Sequence, residues 1–137
     1  MLAQLRKEDR MNSRNELKRE DIAIDRDMDV DCDTGQEITA YIETWFDVDK
    51  KFGTDTSDDD VWLNMYAKYN PFKDTLRIEC EIDKPLESEY FDYEPTESES
   101  QLIKEMIAEK IKECYEQTPQ EFCDSAYNED ISIGGIK

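Results

Sequence analysis

Histidine is absent from this chain of 137 residues, and glycine and proline occur only four times each. Without histidine, and with no serine or cysteine in a nucleophile motif, the residue sets that catalyse acyl transfer are missing. The only adjacent glycines, Gly134 and Gly135, do not form a loop that cradles phosphate. Carboxylate pairs arise by chance in so acidic a chain and therefore do not indicate a hydrolase. We expect a protein without enzymatic activity.

Clustered metal ligands are also missing, because the four cysteines form no CxxC pair and a zinc site needs clustered cysteine or histidine. Cys32 and Cys80 fall on the apolar faces of predicted strands, and Cys114 falls on the apolar side of a predicted helix. A free thiol in such a position behaves as a small hydrophobic group. We therefore expect structural thiols in a reducing cytoplasm, with no metal and no cofactor.

Long apolar runs and basic residues are scarce as well. No run is long enough to span a membrane or to form the core of a signal peptide. Against 17 Lys and Arg residues there are 36 Asp and Glu residues, so the net charge is -19. Such a charge repels nucleic acid and anionic membranes and attracts basic surfaces. We expect a basic protein partner, with no direct nucleic-acid binding and no membrane binding.

Residues 22–33, IAIDRDMDVDCD, show the most regular pattern in the chain. Successive side chains of a strand point to opposite faces, so an extended conformation gives this stretch one mostly apolar face and one acidic face. Residues on the same face are about 6.7 Å apart, too far for neighbouring carboxylates to converge on one calcium ion. The pattern predicts a half-buried strand with a row of five aspartates: Asp25, Asp27, Asp29, Asp31 and Asp33.

Two interpretations of this aspartate row remain open. The row is either a solvated outer face, including an edge strand charged to resist aggregation, or a negative lattice that engages a basic groove. DNA carries one charge per roughly 3.4 Å of each strand. Acids about 6.7 Å apart along strands and about 4.8 Å apart between strands approximate such a phosphate array.

Three further alternating stretches, residues 36–48, 61–69 and 75–83, predict additional strands joined by turns. Thr96 and Glu99 form a capping box, and apolar residues at i, i+3 and i+4 spacing predict a helix over residues 97–116. Thr118 and Pro119 begin a short second helix. The predicted fold is α+β, with a four-stranded antiparallel meander and both helices packed on one face.

The predicted domain organisation is a single α+β domain over residues 21–130. Residues 1–20 contain few apolar anchors, and we expect a loosely ordered N-terminal helix or tail there. Residues 131–137 are predicted to be a C-terminal tail. Within the domain, residues 49–60 resemble a solvated loop, and residues 86–101 are predicted to be a connector.

The second face of the predicted sheet is either open or partly covered by the N-terminal segment. Its aromatic residues, Tyr41, Trp45, Trp62 and Tyr66, belong to a core in the second case. In the first case they are aromatic anchors among acids, the composition of a protein-binding hot spot. We predict that this face binds the partner through Asp25, Asp27, Asp29, Asp31, Asp33, Glu43, Trp45 and Glu79.

A small, very acidic, single-domain chain with reduced cysteines and no catalytic residues resembles the DNA-mimic inhibitors of phages and mobile elements. That class includes anti-CRISPR and anti-restriction proteins. The resemblance rests on charge and size, and it implies an inhibitor that occupies the basic nucleic-acid-binding groove of a host defence nuclease, in the cytoplasm of a bacterial host. The alternative is an acidic adaptor that binds a basic partner unrelated to nucleic acid. Neither hypothesis decides between a monomer and a dimer.

Overall fold

The structure, a computed structural model, describes residues 16–126. The predicted C-terminal tail of residues 131–137 and most of the predicted N-terminal segment of residues 1–20 lie outside this range. Within that segment, Leu17 is buried in the core, and a 3₁₀ turn at Arg19–Asp21 leads directly into the first strand. The N-terminal segment is therefore joined to the domain at Leu17.

Five strands form one antiparallel sheet whose spatial order follows the chain order. The predicted α+β class and antiparallel meander are confirmed, but the predicted number of four strands is wrong. The fifth strand forms within the stretch predicted as a connector, because Phe91 and Tyr93 alternate with polar residues and pack against the core. The strands are β1 (Ile22–Val30), β2 (Ile38–Thr44), β3 (Trp62–Asn70), β4 (Thr75–Asp83) and β5 (Glu89–Tyr93).

In the described part of the chain, three helices accompany the sheet: α1 (Val48–Phe52), α2 (Glu97–Tyr115) and α3, which begins at residue 119 and includes residue 126. Helix α2 begins at the predicted capping box. The Glu99 N–H donates to Thr96 Oγ1 at 3.1 Å, and the Thr96 N–H donates to Glu99 Oε1 at 3.0 Å. Thr118 and Glu121 make the equivalent pair of bonds at the start of α3, as predicted.

Helix α1 lies in the stretch predicted as a loop and corrects that prediction. Its first turn is capped by Asp47, whose carboxylate accepts a hydrogen bond from the Lys50 N–H at 3.1 Å. Its end is set by Gly53, whose φ of 72° lies in the left-handed region that glycine adopts without steric cost. Both the Asp47 cap and the terminating Gly53 can be recognised in the sequence. The helix between them has only five residues, too few to show a helical period of apolar residues.

The core lies between one face of the sheet and helix α2. Ile103, Ile107 and Ile111 recur at one-turn spacing along α2 and are fully buried. The alternate residues of the strands form the opposing layer, as Ile42 and Met65 illustrate. This arrangement leaves the other face of the sheet turned away from α2, and that face carries the predicted partner-binding residues.

The cysteines differ from prediction at two positions. Cys80 and Cys123 are buried, but Cys32 and Cys114 are exposed. Strand β1 ends at Val30, so Cys32 lies in a turn rather than on an apolar strand face. Cys114 lies in the last turn of α2, where residues 112–116 are all exposed. Two thiols are thus available to solvent and two belong to the core.

We expect two of the four thiols to react with an aromatic disulfide reagent in the native protein, and all four to react after unfolding. Burial raises the pKa of Cys80 to about 12 and that of Cys123 to about 11, and a protonated, buried thiol is not nucleophilic. Spectrophotometric counting of the released thiolate at neutral pH measures this. Three or four fast thiols in the native state would contradict the burial of Cys80 and Cys123.

Candidate functional site

The candidate site is the sheet face opposite α2, which we call the outer face. Its side chains are half-buried or exposed, whereas those of the inner face are buried. The register places Tyr41, Tyr66, Glu79 and Asp92 side by side across β2, β3, β4 and β5. The outer face consists of Asp25, Asp29, Thr39, Tyr41, Glu43, Trp62, Asn64, Tyr66, Lys68, Arg77, Glu79, Glu81, Asp83, Tyr90 and Asp92. We also count Asp27, in the irregular part of β1, and Trp45, directly after β2, as part of this face.

Strand β1 is irregular where the aspartate row begins. Ile24 pairs with Ile42 and Met28 pairs with Ala40, so β1 contains two more residues than β2 between these pairs. The Asp27 N–H donates to Asp25 Oδ1 at 2.8 Å within this bulge. Because two extra residues preserve the alternation of faces, Ile24 and Met28 share the inner face and Asp29 returns to the outer face. The aspartate row is therefore bent rather than straight.

The second half of the predicted aspartate row is not part of a strand. Asp31 and Asp33 lie in the turn after β1, and Asp31 Oδ1 accepts a hydrogen bond from the Asp33 N–H at 2.9 Å. The Gly35 N–H donates to the Asp31 carbonyl at 2.7 Å, and Gly35 has a φ of 68°. Aspartate favours such turns because its side chain bonds the backbone two residues on. The single row of five is thus corrected to Asp25, Asp27 and Asp29 on β1.

The same turn brings Asp31, Cys32 and Asp33 together, with one ligand atom of each within 4.8 Å of the others. All three residues are exposed, and Asp31 already accepts hydrogen bonds from the Asp33 N–H and, at 3.4 Å, from Thr34 Oγ1. The cluster is explained by the turn itself and does not define a metal centre.

Most of the predicted site carboxylates make no ion pair within residues 16–126. This holds for the five aspartates and for Glu43. Glu79 differs, because it forms an ion pair with Arg77, which also bridges to Glu37 at 3.3 Å. Although partial burial opposes the shift, these two carboxylates raise the pKa of Arg77. Glu79 is therefore the one predicted carboxylate whose charge is already compensated inside the described part of the chain.

Aromatic residues occupy the centre and one end of the outer face. The rings of Tyr41 and Tyr66 meet edge to face, with centroids 5.6 Å apart. Burial, followed by nearby acids, raises the pKa of both tyrosines. Trp45 is 67% exposed and Trp62 is 50% exposed. The interpretation of these residues as a second core is wrong for the two tryptophans, while the two tyrosines are half-buried by their neighbours on the face.

Sequence reasoning missed one polar network on this face. Glu81 accepts hydrogen bonds from Asn64 Nδ2 at 3.1 Å and from the Tyr90 hydroxyl at 3.2 Å. It lies two residues from Glu79 on the same strand, and Tyr90 comes from the unpredicted strand β5. The alternation of residues 89–93 was the signal that could have revealed strand β5 and, with it, the contact between Tyr90 and Glu81.

A buried carboxylate, Glu99, lies on the other side of the sheet and was predicted only as a helix cap. It is fully buried and accepts four hydrogen bonds: from the Tyr93 hydroxyl at 2.6 Å, the Leu17 N–H at 2.8 Å, the Thr96 N–H at 3.0 Å and Lys51 Nζ at 3.1 Å. Lys51 Nζ also lies 5.0 Å from the centre of the Tyr93 ring.

These donors determine the ionisation of Glu99. Burial alone would raise its pKa, but the hydrogen bonds from Tyr93, Thr96, Leu17 and Lys51 outweigh burial and lower it. Burial and the same carboxylate raise the pKa of Tyr93. Glu99 is thus an anion with its acceptor capacity used by the protein itself, a structural role rather than a catalytic one.

Comparison of the chain with known protein families, with curated proteins and with solved structures finds no match. Within residues 16–126, no helix combines the length and the apolar character needed to cross a membrane.

We expect Glu99→Gln to lower the free energy of unfolding at neutral pH by about 3–5 kcal/mol, the scale for breaking a buried ion pair. Glutamine keeps the oxygen that caps the helix. The loss then reports the missing charge together with an amide NH2 that faces the Leu17 N–H and Lys51 Nζ in place of an acceptor. Because the folded pKa of Glu99 lies below its ordinary value of 4.5, the stabilisation is complete above that pH and is lost as the pH falls through the folded pKa. Urea unfolding at a series of pH values measures the difference between the two proteins.

Glu113→Gln on the exposed side of α2 is the matched control for this pH series. It removes one charge from the same helix without touching the core, and we expect a change within about 0.5 kcal/mol. A difference between wild type and Glu99→Gln that stays constant from neutral pH to strongly acidic pH would contradict the role assigned to the Glu99 carboxylate.

Proposed function

We propose that this protein is an inhibitor that acts by binding rather than by catalysis. Its outer face occupies the basic nucleic-acid-binding groove of a host defence nuclease, such as a CRISPR effector, in the cytoplasm of a bacterial host. The observation that carries the proposal is the set of strand-borne carboxylates on the outer face that have no internal ion pair within residues 16–126. Uncompensated carboxylates held on a rigid sheet attract cationic side chains.

Most carboxylates of the outer face form two groups, which we call the acidic rails. Of the others, Glu43 lies on β2 between the two groups, and Glu79 is paired with Arg77. One rail is on β1, with Asp25 and Asp29. The other is on β4 and β5, with Glu81, Asp83 and Asp92. Strands β1 and β4 are separated by three strand spacings, about 14 Å. That distance is close to the major-groove width of B-DNA, about 12 Å, so the two rails approximate phosphates on the two strands of a duplex.

The composition between the rails also supports a protein partner. Strands β2 and β3 carry Tyr41 and Tyr66 there, together with Asn64. Tyrosine supplies a large contact area with little loss of side-chain entropy and is enriched in binding hot spots. The rails then provide steering and orientation, and the aromatic strip provides contact area.

The protein's net charge sets the expected salt dependence. With 36 acids against 17 bases, association with a basic groove is accelerated by long-range attraction, and this attraction is screened at physiological ionic strength, where the Debye length is about 8 Å. The inhibitor therefore binds fastest at low salt.

We expect the triple variant Asp25→Asn, Asp27→Asn and Asp29→Asn to inhibit at least about tenfold less strongly than wild type, a change of about 1.4 kcal/mol. The readout is DNA cleavage by a panel of purified RNA-guided nucleases at low and at physiological salt. Because inhibitor and DNA compete for one groove, wild type should inhibit strongly when added before DNA and weakly when added after it.

The matched control is the triple variant Glu105→Gln, Glu113→Gln and Asp124→Asn. It changes the net charge by the same amount at exposed positions of α2 and α3, on the side of the sheet opposite the outer face. Its potency should equal that of wild type. Equal potency of the β1 variant would refute the β1 rail as a contact surface, and binding to a basic protein without competition against DNA would favour the adaptor instead.

A further inference from the structure

Two exposed tryptophans lie at the same end of the sheet. Trp45 follows the last residue of β2, and Trp62 is the first residue of β3. These strands are antiparallel, so the end of one lies beside the start of the other. Trp62 pairs with Asp83 at the end of β4, and residues directly opposite in neighbouring strands project their side chains to the same face. An indole and a carboxylate therefore lie side by side on the outer face.

Three of the six exposed large hydrophobic side chains within residues 16–126 lie at this end of the sheet. Trp45 is 67% exposed and Trp62 is 50% exposed, while Leu86, in the connection after β4 at this same end, is 100% exposed. Isolated exposed apolar residues are normal, but several at one end of a sheet indicate an interaction surface.

The charged residues around a hollow at this end of the sheet are almost all acidic. This hollow of about 790 Å³ lies between the loops that precede β3 and follow β4. Its walls include Val61, the neighbour of Trp62, and the acids Asp55, Asp58, Glu87 and Glu89. Lys84, the one base in its lining, forms an ion pair with Glu89. A cationic occupant is therefore favoured, and a second copy of this chain, with its own net charge of -19, is disfavoured.

Arginine fits this combination better than lysine. A guanidinium group is planar, stacks on an indole face and donates two parallel hydrogen bonds to a carboxylate, whereas an ammonium group is a compact, strongly hydrated point charge. Within residues 16–126 the cation–π contact is that of Lys51 with Tyr93, and it involves neither tryptophan. In the described part of the chain, no cation lies against either indole face.

We propose that the Trp45–Trp62 end of the outer face is a docking site for an arginine-rich segment of the partner protein. Arginine side chains stack on the two indoles and pair with Asp83, and neighbouring basic residues of the segment lie along the acid-lined hollow. The proposal deepens the proposed function, on which it rests in taking the partner to be basic, and it adds a preference for arginine at a defined place.

The chain contains two tryptophans, so its indole fluorescence reports directly on this site. An oligoarginine peptide, titrated into the full chain at low salt, should shift or quench the emission, and an oligolysine peptide of equal length should bind more weakly. Trp45→Leu and Trp62→Leu each leave one indole as a reporter, and each should weaken oligoarginine binding by about fivefold, the scale of one exposed cation–π contact.

Phe72→Leu is the matched control, because Phe72 is an aromatic residue that is 45% exposed in the turn at the opposite end of β3. Its affinity for oligoarginine should equal that of wild type. Fluorescence anisotropy of a labelled peptide provides a second measurement that does not depend on tryptophan. Equal affinity for oligolysine, unchanged emission on saturation with oligoarginine, or unchanged affinity of both tryptophan variants would overturn the proposal.

The two proposals fail in different ways. If the tryptophan variants bind oligoarginine normally but the β1 aspartate variant loses nuclease inhibition, the docking site is refuted and the proposed function stands. If the tryptophan variants lose oligoarginine binding and no nuclease is inhibited, the docking site stands and the nuclease-groove assignment is refuted.

Discussion

The Glu99 carboxylate connects parts of the fold that are distant from one another in sequence. Its donors come from Leu17 before the sheet, Lys51 in α1, Tyr93 in β5 and Thr96 at the start of α2. A buried anion is tolerated only when its hydrogen-bonding capacity is satisfied, so all four segments must meet at one point. The two elements that sequence patterns did not predict, α1 and β5, are both held by this group. With this corner of the domain fixed, the sheet presents its outer face as a rigid surface.

The distribution of charge between the two sides of the sheet follows from the same constraint, because a charged group is buried only where hydrogen-bond donors satisfy it. Within residues 16–126, Glu99 is the only buried charged residue, while the remaining carboxylates stay at or near the solvent. The outer face therefore combines a fixed backbone with acidic side chains that stay at or near the solvent. A partner that meets this face encounters acids at strand spacing, an aromatic strip between them, and two tryptophans at one end. The acids and the aromatic residues thus occupy different parts of one surface. The acids can attract one part of a partner while the aromatic residues pack closely against another part.

Long regular patterns were predictable from the sequence, and short or long-range features were not. The alternation in β1 to β4, the stripe of Ile103, Ile107 and Ile111, and the capping box of α2 each span enough residues to show a period. Strand β5 and helix α1 have five residues each, too few for that. The bulge in β1 was invisible because two extra residues leave the alternation of faces unchanged. The burial of Glu99 depends on residues up to 82 positions away, which no local pattern contains.

The bulge in β1 also affects how the sheet ends. Within residues 16–126, strand β1 pairs only with β2, so its other side is an edge of the sheet. There the Tyr115 hydroxyl donates to the Arg26 carbonyl at 2.9 Å. A strand that added to this edge would need the Arg26 carbonyl as an acceptor and a flat backbone beside it. The carbonyl already accepts from Tyr115, and the backbone of β1 is bulged there. Growth of the sheet into ribbons of stacked copies is thereby obstructed at its β1 edge.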